Sequence, residues 1–190
     1  AEVREPLGQS QNIRLLNLAL MSEAKGQSDL LVAFSRAFPR PSMVELWLGG
    51  DGPMRERLKK EAAEAGVADR VSFLGTVPPE EVPRLLACVD VMVVASHYET
   101  FGVVAAEALM AGVPVVASNI AGNDELIVDG ATGVLVPVGD RAAFARESIA
   151  LLNDSSRRRA FGEAAKARIC REFSVGRMVD RHAELYRRLL

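Results

Sequence analysis

The chain has 190 residues, of which 49% are hydrophobic and 25% are charged, an ordinary composition for a globular domain with one sizeable core. The formal net charge is −2, with both signs interspersed. This argues against nucleic acid as a partner, because domains that bind it carry a strong basic excess. The longest apolar runs, such as 91–95 and 113–117, reach about five residues, whereas a transmembrane helix needs about 20. We therefore expect one domain with a small or neutral partner and no transmembrane segment.

The N-terminal residues 1–12 are polar and lack the pattern of a secretion signal. We expect them to be a linker that precedes a single domain over residues 13–190. The two cysteines, Cys88 and Cys170, have no metal-type spacing to histidine or cysteine. We expect both to be buried free thiols in a reducing compartment such as the cytoplasm.

Short apolar runs alternate with amphipathic segments of about ten residues or more, as expected when parallel strands are joined by crossover helices. Strands are predicted at 13–20, 44–48, 71–74, 91–95, 114–117 and 134–136. Helices are predicted at 28–37, 54–65, 79–87, 103–111 and 141–152, with two more after Ser155 and N-caps at Ser28, Asp140 and Ser174. The pattern predicts an α/β fold: a doubly wound, Rossmann-like parallel sheet with helices on both faces and a helical C-terminal tail.

The C-terminal tail carries many arginines at helical spacing. They are Arg157, Arg158, Arg159, Arg168, Arg181 and Arg188. The simpler interpretation is a solvated helix face. A docking surface for acidic lipid or a partner domain is the alternative, although Glu163, Glu172, Asp180 and Glu184 interrupt the positive run.

Residues 96–102 form the strongest candidate site, because sheets of this kind bind ligands beyond the carboxyl ends of their strands. This segment follows the strand ending at Ala95 and opens the helix that contains Glu107. A helix N-terminus offers unpaired N–H groups, and Gly102 permits close approach, so a diphosphate could bind there. Glu99 and Glu107 could face one crevice and accept hydrogen bonds from hydroxyls. The alternative is that Glu99 only caps the helix and Glu107 is an ordinary exposed residue.

Other loops at strand ends are weaker candidates on their own. Residues 49–53 predict a tight strand-to-helix turn, with Pro53 suited to the first helical position. They match a dinucleotide fingerprint only in part, because Arg55 stands where its third glycine would be. Residues 121–125 add a glycine and acidic pair in what is otherwise simply a loop.

Two cationic or titratable side chains also follow strand ends. Lys25 could neutralise a phosphate, or be a surface lysine. His97 could carry a proton, although a hydrogen-bonded loop histidine is the simpler interpretation. We expect His182 to be structural.

Taken together, these loops resemble glycosyltransferase family 4 (group 1), whose members have the GT-B architecture. The matching segments are, in order, Lys25 with Gly26, then 50–53, 71–75, 99–102 with Glu107 and Ala108, 112–117, Gly122 with Glu125, 129–130 and 133–136. The resemblance covers about residues 15–152, and its motifs are jointly specific.

The resemblance implies the donor-binding half of a retaining enzyme that moves a hexose from a nucleoside diphosphate, of UDP or GDP type, to a carbohydrate or lipid hydroxyl. No cofactor or metal is implied. Glu99 would contact the donor sugar as the catalytic residue, Glu107 would hold the ribose, and Lys25 would compensate the charge of the departing nucleotide. The backbone amides of residues 101–103 would hold phosphate, and residues 75–77 would border the base. The implied donor-binding set is Lys25, Gly50, Gly52, Val77, Glu99, Thr100, Phe101, Gly102, Val103 and Glu107.

Two departures from the family pattern bear on activity. Leu20 stands where the family commonly carries a phosphate-pairing arginine, a loss that could cost about 2–4 kcal/mol of transition-state stabilisation. The acceptor-binding domain that normally precedes this one in the family is not among these 190 residues. The chain is then either an excised C-terminal domain or a short protein that needs a partner, and we expect no appreciable transfer by it alone. The full-length enzyme could still contact a membrane surface.

Other functions remain as alternatives. A degenerate, non-catalytic nucleotide-sugar-binding or interaction module would explain Leu20 and the missing domain. An epimerase of related fold is disfavoured by the pattern of Glu99, Glu107, Phe101 and Gly102. A glycosidase is disfavoured because its two carboxylates need no phosphate-binding helix start.

Overall fold

The computed structural model describes residues 13–189. Its centre is a six-stranded, all-parallel sheet in the order β3-β2-β1-β4-β5-β6. The strands are β1 (Arg14–Leu18), β2 (Glu45–Gly49), β3 (Val71–Gly75), β4 (Val91–Val94), β5 (Val115–Ser118) and β6 (Val134–Val136). All six predicted strands are therefore confirmed, and no end is shifted by more than two residues.

The helices lie where the amphipathic segments predict them. They are α1 (Gln27–Ala37), α2 (Arg55–Glu64), α3 (Val82–Leu86), α4 (Val103–Ala111), α5 (Asn123–Leu126), α6 (Arg141–Asn153), α7 (Ser155–Glu172) and α8 (Val175–Leu189). The helix predicted at 79–87 is instead a 3-10 turn, Pro79–Glu81, followed by α3. Pro83 has no N–H for the carbonyl of Pro79, which bonds the amide of Val82 instead. The short α5 was not predicted, because four residues carry no helical periodicity.

Two of the three predicted N-caps are confirmed. Asp140 accepts a hydrogen bond from the amide of Ala143 at 2.9 Å, and Ser174 accepts one from the amide of Arg177 at 3.2 Å. Ser28 is not a cap, because α1 begins at Gln27 after Gly26. Gly26 has a φ of 63°, and a Cβ there would lie 2.0 Å from the carbonyl oxygen of Ala95. The close approach to β4, rather than a capping side chain, determines where α1 starts.

Hydrophobic cores lie on both faces of the sheet, since successive strand residues point to opposite sides. In β4, Val91 and Val93 join the core that contains α1, α2 and α6. Met92 and Val94 join the core that contains α3, α4 and the α7 residues Ala165 and Ile169. Burial on both faces confirms the doubly wound arrangement expected from continuous apolar strands.

The cysteines are free, as predicted, but they are not buried. Cys88 is half-buried after α3, and Cys170 is exposed on α7. Cys170 follows the buried Ile169, so the helical period turns it outward. None of the helices within residues 13–189 combines the length and apolarity needed to cross a membrane.

The arginines of the C-terminal tail are only partly a solvated face. Arg159, Arg181 and Arg188 are exposed. Arg158, by contrast, donates to the carbonyl of Leu151 at 3.0 Å, and Arg168 donates to that of Glu125 at 2.9 Å. None of the residues of α8 is buried, and its apolar side chains are exposed. They are Val175, Met178, Val179, Leu185, Tyr186 and Leu189.

Candidate functional site

The site lies where strand order reverses, between the adjacent central strands β1 and β4. In open α/β sheets, loops diverge at such a point and leave a crevice beyond the carboxyl ends. Lys25 lies in the 3-10 turn after β1, and Glu99 lies in the loop after β4. Their side chains meet, with Nζ of Lys25 2.7 Å from Oε1 of Glu99. Both residues were separate candidates in the sequence, but their contact was not predicted.

Glu99 is a mostly buried carboxylate with two donors on one oxygen. Its side chain is 12% exposed and that of Lys25 is 24% exposed. Oε1 of Glu99 also accepts a hydrogen bond of 2.7 Å from the hydroxyl of Ser96, a residue that is 1% exposed. The N-cap of α4 is Gly102, with no side-chain cap, so the interpretation of Glu99 as the helix cap is wrong.

The N-terminus of α4 follows a glycine and packs closely against a neighbouring loop. Gly102 has a φ of 79°, and a Cβ there would lie 2.8 Å from Oδ1 of Asn123. A Cβ on Gly122 would lie 3.0 Å from backbone atoms of Phe101. The loop after β5 therefore packs directly on the backbone of 101–102. Thr100 and Val103 flank this segment and are exposed, whereas Gly102 is buried. The first amides of a helix have no partner within the helix, which makes this end a candidate for binding an anion.

Glu107 lies one turn inside α4 and is half-buried. Burial raises the pKa of its carboxyl above the ordinary value, because a desolvated carboxylate is less stable than the neutral acid. Within residues 13–189, the side chain has no hydrogen-bond or ion-pair partner. The interpretation of Glu107 as an ordinary exposed helical residue is therefore wrong.

The predicted residues of the β2 and β3 loops lie together beside the β1 loop. A Cβ on Gly50 would lie 2.0 Å from the carbonyl oxygen of Ala19, and one on Gly52 would lie 2.5 Å from that of Met21. The amide of Gly50 donates to the carbonyl of Gly75 at 2.7 Å. Val77 is half-buried against the core. The backbone at Gly50 and Gly52 therefore packs directly against the backbone of the β1 loop, with no room for a side chain. Pro53, however, is not the first helical residue, because α2 begins at Arg55.

His97 is a hydrogen-bonded loop histidine, as the simpler interpretation predicted. Its Nε2 lies 3.0 Å from Oδ2 of Asp29, and its amide donates to the carbonyl of Ala24 at 2.8 Å. The other oxygen of Asp29 accepts from the guanidinium of Arg141 at 2.6 Å. Burial alone would raise the pKa of Asp29, but the hydrogen bonds and charges of Arg141 and His97 outweigh it and lower that pKa. His182, on exposed α8, contacts only the carbonyl of Met178, at 2.8 Å, among the described residues.

Ser96 lies in the predicted segment 96–102 but was given no role there, and Asp29 and Arg141 were not predicted as site residues. Asp29 is 68 positions from His97 and 112 from Arg141, so no local pattern connects them. Ser96 had one usable signal, its place directly after a buried strand. Leu20, at the family's arginine position, is 60% exposed, and its carbonyl accepts from the side chain of Gln27 at 3.0 Å. Among residues 13–189, no group of three or more His, Cys, Asp or Glu side chains is arranged to hold a metal.

A Rossmann-like parallel sheet with these loops at its point of reversal is the architecture of a GT-B glycosyltransferase domain. The chain matches the family model described as "Glycosyl transferases group 1" over residues 2–168. It therefore belongs to that family.

Individual relatives agree with this assignment. The chain is 32% identical to N-acetyl-alpha-D-glucosaminyl L-malate synthase of Bacillus anthracis, over 95% of this chain and 46% of the relative. It is 31% identical to a glycogen synthase of Mycobacterium tuberculosis, over 90% of this chain and 42% of the relative. The chain thus spans about half the length of the curated relatives it matches.

Solved structures show the same fold. Anabaena HepE in complex with UDP and glucose superposes with a TM-score of 0.83 at 28% identity, over 92% of this chain and 48% of that chain. The C-terminal domain of a group 1 glycosyl transferase from Francisella tularensis superposes with a TM-score of 0.79 at 22% identity. That superposition covers 86% of this chain and 87% of that chain. At that identity the second likeness concerns the fold alone.

Proposed function

We propose that this chain binds a nucleoside diphosphate sugar and is the donor-binding half of a retaining glycosyltransferase. The reaction would move a hexose to a carbohydrate or lipid hydroxyl. The observation that carries the proposal is the pair of Lys25 and Glu99, at 2.7 Å, with Glu99 in the loop that precedes the N-terminus of α4. The pair would supply a cation for phosphate and an acceptor for sugar hydroxyls at one crevice.

The diphosphate would bind at the start of α4. The amides of Phe101, Gly102 and Val103 lie at the N-terminal end of α4, where the helix dipole favours negative charge. Lys25 would compensate the charge that accumulates on the nucleotide as the bond to the sugar breaks. Its ammonium has three N–H donors, so it can bind phosphate while one N–H remains on Glu99. We propose that these groups, and no metal, balance the diphosphate.

The two glutamates would bind hydroxyls at either end of the donor. Glu99 would accept hydrogen bonds from the hexose and act as the catalytic residue, and Glu107 would accept them from the ribose. Glu107 is suited to this because its carboxylate is desolvated and has no partner within residues 13–189. Ribose hydroxyls would supply the missing donors. Val77, Gly50 and Gly52 would line the side of the base, and Thr100 would flank the phosphate.

We base the proposed identity of the nucleotide on a relative of known structure. HepE was crystallised with UDP and with UDP-glucose, which favours UDP over GDP for this chain. The acceptor would come to a second domain, since the relatives are about twice as long. We therefore propose that donor binding is measurable in this chain, whereas transfer requires the other half.

The test is titration calorimetry with UDP, GDP and ADP, comparing the wild type with Glu107→Ala. A dissociation constant between about 1 μM and 1 mM is expected for one nucleotide, and Glu107→Ala should weaken it about tenfold. Glu64→Ala is the control, because Glu64 is exposed at the C-terminal end of α2, at the opposite edge of the sheet. Equal binding by both variants would indicate that the nucleotide does not contact Glu107. Absence of binding to all three nucleotides would contradict the proposal and favour a degenerate module.

A further inference from the structure

Both hydrogen bonds that Glu99 accepts go to the same oxygen. Nζ of Lys25 and Oγ of Ser96 each lie 2.7 Å from Oε1. A carboxylate oxygen has two lone-pair sites, so these two donors occupy Oε1 fully. Within residues 13–189, Oε2 has no hydrogen-bond donor. The carboxylate therefore has one oxygen held by the protein and one left to accept from a ligand.

The two donors differ in how firmly they can hold Glu99. Lys25 has a long flexible stem, and its ammonium is a point charge that accepts many directions of approach. A diphosphate bound in the crevice would also compete for it. Ser96 is 1% exposed, lies two residues after the end of β4, and has a short side chain. Its hydroxyl is the donor that stays in place when a phosphate draws the lysine away.

We propose that Ser96 is a positioning residue that keeps Oε1 of Glu99 turned toward the protein and Oε2 turned toward the hydroxyls of the donor sugar. The inference rests on the proposed function, because it assigns the sugar to Glu99. Loss of the Ser96 hydroxyl leaves Glu99 free to rotate or to follow Lys25 toward the phosphate. The nucleotide part of the donor does not depend on that orientation, so sugar recognition and nucleotide recognition separate.

The chain offers a matched control in Ser118. This serine ends β5, is fully buried, and its hydroxyl has no hydrogen-bond partner among the described residues. Ser118→Ala and Ser96→Ala therefore delete the same atom from comparable places at the carboxyl ends of neighbouring strands. Only Ser96→Ala removes a donor from Glu99.

The experiment measures affinities of the wild type and both variants for UDP and UDP-glucose, GDP and GDP-mannose, and ADP and ADP-glucose. The comparison uses the nucleotide and the matching nucleotide sugar that the wild type binds. Ser96→Ala should weaken binding of that nucleotide sugar about tenfold, the usual scale of one charge-assisted hydrogen bond, and leave the nucleotide within about twofold. Ser118→Ala should change neither.

Two outcomes would overturn the role of Ser96 while leaving donor binding intact. In one, Ser96→Ala behaves like Ser118→Ala toward both ligands. In the other, Ser96→Ala weakens nucleotide and nucleotide sugar equally, as a merely structural change would. A wild-type chain that binds none of the six compounds would overturn the proposed function and the role of Ser96 with it.

Discussion

Nζ of Lys25 lies 2.7 Å from Oε1 of Glu99, although 74 positions separate the two residues in the chain. Both side chains are mostly buried, at 24% and 12% exposed. In this setting, each partner stabilises the fold chiefly by neutralising the other. Removal of one partner leaves the other as an unpaired, desolvated charge, which lowers the free energy of unfolding. The contact therefore has a stability consequence as well as a functional one.

Lys25→Met should lower the free energy of unfolding by about 1–3 kcal/mol, measured by urea denaturation at pH 7. The double variant Lys25→Met with Glu99→Gln should recover part of the loss, because no buried charge then stands alone. Unchanged stability in Lys25→Met would mean that the pair is open in solution.

Asp29→Asn should destabilise the chain at neutral pH, because Asp29 joins α1 to His97 and to Arg141. The loss should be about 1–3 kcal/mol. The pKa of Asp29 is lowered in the folded state, so its stabilisation is present above the ordinary value of 3.8 and is lost as pH falls through the folded pKa. The urea midpoints of the wild type and of Asp29→Asn should therefore differ at pH 7 and converge well below pH 3.8. Asp69→Asn is the control, since Asp69 pairs with Arg40 in a half-exposed setting and should change little.

Glu107→Gln should stabilise the chain while it weakens nucleotide binding. The pKa of Glu107 is raised by burial, so the carboxylate costs stability above the ordinary value of 4.5, and the cost disappears below it. Thermal unfolding should show a higher midpoint for the variant at pH 7 and equal midpoints well below 4.5. Glu184→Gln, on exposed α8, should show no such difference. A lower midpoint for Glu107→Gln at pH 7 would contradict the assignment of desolvation as the cause.

Leu20→Arg should tighten nucleotide binding by about tenfold, because it restores a cation at the position where the family carries arginine. Leu20 is 60% exposed, so stability should not change. The gain should shrink as salt is added, since the new contact is electrostatic. Met43→Arg makes the same kind of change at a residue 61% exposed before β2, at the opposite edge of the sheet, and should have no effect. A similar gain in both variants would indicate a non-specific charge effect.

Gly162→Ala should destabilise the packing of α7 on α4. Its Cβ would lie 2.1 Å from the carbonyl oxygen of Gly112, and a backbone atom cannot move aside as a flexible side chain can. We expect a loss of about 1–3 kcal/mol, read from urea denaturation. Gly176→Ala, where a Cβ meets no atom of residues 13–189 within 4 Å, should be neutral or slightly stabilising. Equal free energies of unfolding for Gly162→Ala and Gly176→Ala would mean that α7 and α4 can move apart without loss of stability.

The sequence by itself determined the order and type of all six strands and of most helices. Apolar runs such as 91–94 and the amphipathic segment of α4 are local patterns, and periodicity reports local structure. The loops after β1 and β4 could be selected as candidate sites for the same reason, because strand ends are visible in sequence. Where local rules failed, as for Ser28 and for the segment 79–87, a close backbone approach or a proline prevented the expected structure.

Only the tertiary structure decided which of these side chains touch. Lys25 meets Glu99, and Asp29 meets His97, because β1 and β4 pair in the sheet and bring distant loops together. Asp29 meets Arg141 because α1 packs against α6. Distances of this kind depend on the packing of whole elements, to which all parts of the chain contribute. Burial of Glu107 and exposure of Cys170 were decided in the same way, since a side chain's solvent access is a property of its neighbours in space.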